Sequence, residues 1–183
     1  MSTEKQIIIS GVGGQGMILC GTLIAQAAVL HDGRRATLSS EYGVETRGTF
    51  AKSDVIISDE EIYFPDATEP DLVLCLAQPA YERYAGTLPP DVPLVYNTDE
   101  VTPRETGGRQ LGVAIDHLAR QLGNPATANI ITMGIAAGLL DAVTPEGAKA
   151  AIAGFFAKKG EKVIALNQKA FEEGLKIGRE LKK

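Results

Sequence analysis

A glycine-rich segment near the start of the chain is the strongest candidate for chemistry. Residues 11–16 read GVGGQG and fit the pattern GxGxxG, between the β-branched run 7–9 and a helical pattern over about 14–30. Glycines let the backbone turn sharply and approach a ligand, while the free N–H groups and dipole of the following helix favour an anion. The candidate ligand- or phosphate-binding residues are therefore Gly11, Gly13, Gly14, Gln15 and Gly16.

The glycine segment alone leaves its ligand open. A dinucleotide site also uses an acid near the end of the second strand, about 20 residues further on. Asp32 comes too early, and Glu41 lies 25 positions beyond Gly16. A free-standing NAD(P)- or flavin-binding oxidoreductase is therefore one alternative, and a turn that only packs helix against strand is another. The Gln15 amide either orients a loop or donates to a phosphate.

A second polar segment, EYGVETRG at 41–48, follows the second predicted strand. We expect it at the carboxyl edge of the sheet, where open α/β sheets bind ligands. Arg47 has the geometry to hold a carboxylate or phosphate with two hydrogen bonds, and Glu41 and Glu45 are its potential partners. Composition alone favours a solvated loop with a local Glu45–Arg47 pair, which contributes little stability. The candidate residues for contact with a partner or ligand are Glu41, Tyr42, Glu45, Arg47 and Gly48.

Few residues of this chain could hold a metal or catalyse a reaction. The two cysteines, Cys20 and Cys75, are far apart, and the histidines, His31 and His117, are isolated in sequence. An iron–sulfur cluster takes four thiolates and structural zinc takes four ligands. We therefore predict no metal site and no catalytic residue on this chain, and we expect Cys20 to be buried on the apolar side of the first helix.

The elements that position these segments predict an α/β fold. The expected architecture is a Rossmann-like, doubly wound, mostly parallel sheet with a helical C-terminal segment, formed by residues 1–183 as one domain. Residues 36–39 are the predicted second strand of a βαβ unit, and 55–57 form a strand with a hairpin return over 61–64. Residues 72–76 are a predicted central parallel strand. Helices follow from residue 116, one of them capped by Thr144 with Pro145 in its first turn.

Charge and hydropathy exclude two classes of partner. The formal net charge is −5 and the pI is about 5.1, whereas nucleic-acid binders gather positive charge. No apolar run approaches the roughly 18 residues that cross a bilayer, and residues 1–5 lead into a strand without a signal peptide. We expect a cytoplasmic protein that binds neither nucleic acid nor membrane.

Five segments together resemble the γ subunit, or γ domain, of the 2-oxoacid:acceptor oxidoreductases, over nearly the whole length. The family includes enzymes acting on pyruvate, 2-oxoglutarate, branched-chain oxoacids or indolepyruvate. One departure is Thr49, which stands where the family often has a second glycine after the Arg-Gly pair. The segments are GVGGQGM (11–17), EYGVETRG (41–48), VIISDE (55–60), NIITMG (129–134) and LNQKAF (166–171).

The resemblance implies oxidative decarboxylation of a 2-oxoacid to an acyl-CoA, with ferredoxin as electron acceptor. It is nearest the 2-oxoglutarate type. Thiamine diphosphate, Mg and 4Fe-4S clusters would do this chemistry on other chains, with coenzyme A as substrate and no cofactor on this chain. The implied partners are the α and β subunits, with δ as a further candidate, and ferredoxin through the complex. The isolated chain is expected to be inactive, and a homodimer is one of the oligomeric states left open for it.

Overall fold

A computed structural model describes residues 4–43 and 48–183, which contain a six-stranded sheet. Its strands are β1 (Lys5–Val12), β2 (Arg35–Tyr42), β3 (Phe50–Ser58), β4 (Leu72–Cys75), β5 (Leu94–Asn97) and β6 (Gln110–Val113). The spatial order is β2-β3-β1-β4-β5-β6, in which β1, β4, β5 and β6 are mutually parallel. The mostly parallel α/β sheet predicted from the sequence is confirmed.

Helices cover both faces of the sheet, as a doubly wound fold requires. They are α1 (Met17–Gln26, continued by a π-helical turn over Ala27–His31), α2 (Gln78–Tyr84), α3 (Ile115–Gln121), α4 (Ala128–Leu140), α5 (Pro145–Phe155) and α6 (Glu161–Lys182). Helix α2 packs on one face against Ile8, Val73 and Cys75, and the other five share the larger core on the opposite face. Within the described ranges, no helix combines the length and apolarity needed to span a membrane.

The second and third strands lie differently from the prediction. Strand β3 lies between β1 and β2 and is antiparallel to both, so β2 is not adjacent to β1 as a simple βαβ unit requires. No residue of β2 is buried and none of β3 is exposed, so the more apolar strand takes the interior position. The hairpin partner of β3 is therefore β2, and the predicted return strand over 61–64 does not form, because β1 and β2 already occupy both edges of β3.

Helices α4 and α6 approach each other unusually closely because four glycines line their contact. Gly134 and Gly138 on α4 face Gly174 and Gly178 on α6. A Cβ atom at Gly174 would lie 2.1 Å from the carbonyl oxygen of Ile131. Side chains larger than hydrogen at this contact would force the helices apart.

Local signals for caps and burial are confirmed. Helix α5 begins at Pro145, and the Thr144 hydroxyl oxygen accepts a hydrogen bond from the Gly147 N–H at 3.0 Å. Cys20 and Cys75 are both fully buried. Burial raises the pKa of the Cys20 thiol and raises that of Cys75 to about 12, so both remain protonated and unreactive at neutral pH.

Candidate functional site

The glycine segment forms the tight turn between β1 and α1 that the sequence predicts. Gly14 and Gly16 adopt φ angles of 97° and 76°, a left-handed conformation that side chains disfavour. Gly16 is the N-cap of α1, and no side chain accepts a hydrogen bond from the first helical N–H groups. The turn therefore presents backbone donors at the carboxyl end of β1.

Gln15 has a structural role in this turn. Its Oε1 accepts a hydrogen bond from the Val12 N–H at 2.9 Å, and its Nε2 donates to the Leu76 carbonyl at 3.0 Å. The side chain thus ties the turn to the end of β4. Gly11 lies beneath it, since a Cβ there would be 2.3 Å from Gln15 Oε1. Of the two roles open from sequence, this geometry supports orientation of the loop.

A cavity of about 550 Å³ opens beside the turn, at the carboxyl ends of β1, β4 and β5. Of the five predicted turn residues, Gly14, Gln15 and Gly16 line the cavity, whereas Gly11 and Gly13 do not. Its size is typical of small-molecule sites, and its position follows the rule for open α/β sheets. The remaining lining residues come from α1, the ends of β4 and β5, the helices α3, α4 and α6, and the connections between them: Leu19, Leu76, Asn97, Ile115, Asp116, Asn124, Pro125, Ala126, Thr127, Ala128, Asn129, Phe156, Val163 and Asn167.

The asparagines of this cavity were missed by the sequence reasoning. Asn97 ends β5, a position that could have identified it, because ligands meet the carboxyl ends of parallel strands. Asn129 and Asn167 both lie within segments that resemble the oxidoreductase family. Because these three residues are far apart in the chain, no local sequence pattern indicates that they line the same cavity.

The lining of the cavity is acidic. Among its lining residues within the described part of the chain, Asp116 is the only ionisable side chain. Its Oδ2 accepts a hydrogen bond from Asn97 Nδ2 at 2.9 Å, while Asn97 Oδ1 accepts one from the Ile115 N–H at 3.1 Å. The buried Asn97 therefore fixes both the start of α3 and the Asp116 carboxylate.

Of the second predicted segment, Glu41 and Tyr42 form the carboxyl end of β2 instead of a loop. They lie at the same edge of the sheet as the glycine turn, on the side of the turn away from the cavity. The Gly13 N–H donates to the Thr49 carbonyl at 3.2 Å, which joins the two segments. Tyr42 is 65% exposed, and the Glu41 carboxylate lies 3.9 Å from Lys52 and 3.8 Å from Arg83. Gly48 has a φ of 78°. Glu45 and Arg47 lie outside the described residues.

The strand order weighs against a dinucleotide site. Because β3 separates β1 from β2, the end of β2 lies two strands, or about 10 Å, from the glycine turn. An acid at the end of β2 is therefore not beside the turn, where it would bind a ribose. Glu41, the candidate for that role, instead faces Lys52 and Arg83. Across the ranges described, no group of three or more His, Cys, Asp or Glu side chains is arranged to hold a metal ion.

The chain matches known proteins over nearly its whole length. It is 35% identical to the 2-oxoglutarate synthase subunit KorC of Methanocaldococcus jannaschii, over 97% of this chain and 96% of the relative. The γ subunit of a keto/oxoacid ferredoxin oxidoreductase from Geobacter sulfurreducens is 32% identical, with a TM-score of 0.80 over 96% of this chain and 99% of that one.

A larger protein contains the same fold. The 2-oxoglutarate:ferredoxin oxidoreductase of Magnetococcus marinus aligns over 98% of this chain and 32% of its own, with a TM-score of 0.89 and 24% identity. The family model described as pyruvate ferredoxin/flavodoxin oxidoreductase matches residues 6–177. This chain therefore belongs to the pyruvate ferredoxin/flavodoxin oxidoreductase family.

Proposed function

We propose that this chain is the γ subunit of a heteromeric 2-oxoacid:ferredoxin oxidoreductase of the 2-oxoglutarate type. The observation that carries the proposal is the end-to-end match to a 2-oxoglutarate synthase subunit of almost the same length. Both chains align over 96% or more, so the proposed subunit corresponds to one domain spanning residues 1–183. A free-standing NAD(P) enzyme is not favoured, because the glycine turn lacks a neighbouring acid from β2.

The proposed reaction converts a 2-oxoacid, coenzyme A and two oxidised ferredoxins into an acyl-CoA, carbon dioxide, a proton and two reduced ferredoxins. Thiamine diphosphate with Mg would supply the carbanion chemistry, and 4Fe-4S clusters would carry the electrons. Both belong to the α and β subunits, or to a δ subunit, in this proposal. This chain contributes binding and positioning and is inactive in isolation, where a homodimer is one of the oligomeric states open to it.

The two loops at the carboxyl edge have different proposed roles. The glycine turn, through its backbone N–H groups, contributes to the part of the complex that binds coenzyme A. Support for this ligand comes from the Magnetococcus marinus enzyme, described with 2-oxoglutarate, coenzyme A and succinyl-CoA bound. The segment 41–48 serves as a contact with the neighbouring subunit. Exposed Tyr42 supports this role, because exposed aromatic side chains are enriched at protein interfaces.

Purification from the native cytoplasm tests the subunit assignment. We expect the tagged chain to co-purify with thiamine- and cluster-binding chains, and the eluate to reduce a viologen dye when both coenzyme A and 2-oxoglutarate are added. Pyruvate, 2-oxoisovalerate and indolepyruvate are the matched substrates that determine specificity. If the chain elutes alone and binds NAD or NADP saturably, the proposal is wrong.

Replacement of Arg47 tests the partner contact. We expect Arg47→Ala to leave the unfolding transition of the isolated chain unchanged and to reduce both co-purification of the partner subunits and dye reduction by about tenfold, the effect of losing one charge-assisted interface bond. Arg179→Ala, an exposed arginine on α6, is the matched control and should assemble normally. Normal assembly and turnover of the Arg47→Ala complex would remove segment 41–48 from the interface.

A further inference from the structure

One edge of the sheet is long and has no neighbouring strand within the described part of the chain. Strand β2 forms this edge over eight residues, whereas β6, at the opposite edge, has only four. Natural edge strands avoid pairing with other chains by being short or by carrying prolines or charges. The central residues of β2, ATLSS at 36–40, include neither. The β2 edge therefore lacks the features that normally prevent pairing.

The hydrogen bonds between β2 and β3 show which backbone groups of β2 point outward. The Gly43 N–H donates to the Phe50 carbonyl at 3.0 Å, and these residues are directly opposite when the β2–β3 register is continued by one position. Bonded and non-bonded pairs alternate along an antiparallel ladder, so the odd-numbered residues of β2 bond β3. The N–H and C=O groups of Ala36, Leu38 and Ser40 consequently point to the open edge, where no backbone group of the described residues bonds them.

Exposed apolar side chains lie on and beside this edge. Leu38 is 36% exposed, and it lies on the face of the sheet covered by α1, since a Cβ at Gly21 would be 2.8 Å from its Cδ1. Val29 and Leu30 are 46% and 69% exposed in the π-helical turn that contacts β2. Apolar surface of this kind beside unpaired backbone groups is typical of a protein interface.

A second copy of the same strand complements this edge in one register. Outward-pointing residues must meet outward-pointing residues, so even-numbered positions of β2 lie opposite even-numbered positions of the copy. Leu38 opposite Leu38 of the second copy then brings Arg35 opposite Glu41 at both ends of the paired strands. A shift by two residues places Arg35 opposite Gly43 or Ser39 instead. Directly opposed residues of opposite charge stabilise strand pairing, which selects the first register.

Glu41 is available for this contact. Its carboxylate is half-exposed and lies 3.9 Å from Lys52 and 3.8 Å from Arg83, both at the long end for an ion pair. Arg35 is exposed at the start of β2. Both side chains can therefore reach across the edge without breaking a short ion pair of Glu41.

We propose that two copies of this chain pair through their β2 edges, antiparallel about a twofold axis at Leu38, so that their two sheets become one. Ala36 bonds Ser40 of the second copy, the two Leu38 residues bond each other, and Ser40 bonds Ala36, which gives about six backbone hydrogen bonds. The pairing does not depend on the subunit assignment. Where that assignment holds, it gives the complex two γ subunits in direct contact.

Analytical ultracentrifugation of the full chain, purified alone at several concentrations, tests the pairing. We expect a monomer–dimer equilibrium, and Leu38→Lys should raise the dimer dissociation constant about tenfold, because two lysines then lie opposite each other. Phe155→Lys is the matched control, since Phe155 is 49% exposed at the end of α5, and it should dimerise like the unaltered chain. A chain that stays monomeric at every concentration, or a dimer that Leu38→Lys leaves intact, would overturn the inference.

A charge exchange tests the register. Arg35→Glu and Glu41→Arg each place like charges opposite each other at both ends, so each alone should weaken the dimer. The two substitutions together restore opposite charges and should recover most of the lost affinity. A double variant that dimerises no better than the single variants would contradict this pairing.

Hydrogen exchange identifies what occupies the edge. The amides of Ala36, Leu38 and Ser40 should exchange more slowly as the chain concentration rises, whereas those of Thr37 and Ser39, bonded to β3, should be protected at every concentration. Protection of the first three amides only in the purified complex would mean that another subunit pairs with β2, and the second copy would be wrong. Dye reduction by that complex decides the proposed function separately.

Discussion

Substitution of Gly174 by alanine is expected to lower the free energy of unfolding by about 3 kcal/mol, the upper end for overpacking a core. The added Cβ would lie 2.1 Å from the Ile131 carbonyl oxygen and 3.0 Å from the Gly134 Cα. Both are backbone atoms of α4, so no side-chain rotation relieves the contact and the two helices must separate. Urea denaturation of the full chain measures the loss.

Gly154→Ala is the control for the helical preference of alanine. Gly154 is exposed within α5, and a Cβ there would meet no atom within 4 Å. This substitution should raise the free energy of unfolding by about 0.5–1 kcal/mol, because glycine is a poor helix residue. A gain in stability by both variants would mean that the backbones of α4 and α6 are not in direct contact at Gly174.

The parts of the fold that depend on local sequence could be predicted. The β1–turn–α1 unit follows from adjacent residues, because a β-branched run, the glycine pattern and a helical periodicity succeed one another. Thr144 and Pro145 likewise specify the start of α5 through contacts within one turn. In each case the interactions that determine the local structure involve only the residues of the sequence pattern and their near neighbours in the chain.

The order of the first three strands could not be predicted from local pattern. Polar and apolar residues alternate enough in segment 35–42 to predict a strand. Its place at the edge of the sheet, however, depends on whether β2 or β3 pairs with β1. The apolar run Val55–Ile57 favours the interior position for β3, in which seven of its nine residues are buried. A short connection between β2 and β3 also fits an antiparallel pair. A general expectation of parallel βαβ order was therefore wrong at this one step.

The cavity shows the same limit at the level of the site. Gly14, Gln15 and Gly16 were predicted because a known pattern joins them in sequence, whereas Asn97, Asn129 and Asn167 come from a strand and two helices distant in the chain. Their convergence depends on the close packing of α4 on α6. That packing in turn depends on glycines whose four-residue spacing, Gly134 with Gly138 and Gly174 with Gly178, was a readable signal of close helix approach.

Gly16→Ala should combine two costs at the turn and lower the free energy of unfolding by about 3 kcal/mol. A left-handed conformation costs a non-glycine residue about 1–2 kcal/mol, and the Gly16 φ of 76° requires it. The new Cβ would also lie 2.5 Å from Asn129 Nδ2, so the amide must move. Gly14→Ala separates these effects, since Gly14 has a φ of 97° but open space around its Cβ position. This variant should lower the free energy of unfolding by only about 1–2 kcal/mol.

Asn129→Ala added to Gly16→Ala should recover about 1 kcal/mol, because it removes the crowded amide and leaves the backbone strain. The same addition to Gly14→Ala should recover nothing, which makes the pair a double-mutant cycle for the Gly16–Asn129 contact. Urea denaturation of the single and double variants supplies each value. Equal losses for Gly14→Ala and Gly16→Ala would mean that the Asn129 side chain moves away from the added methyl group at almost no cost in stability.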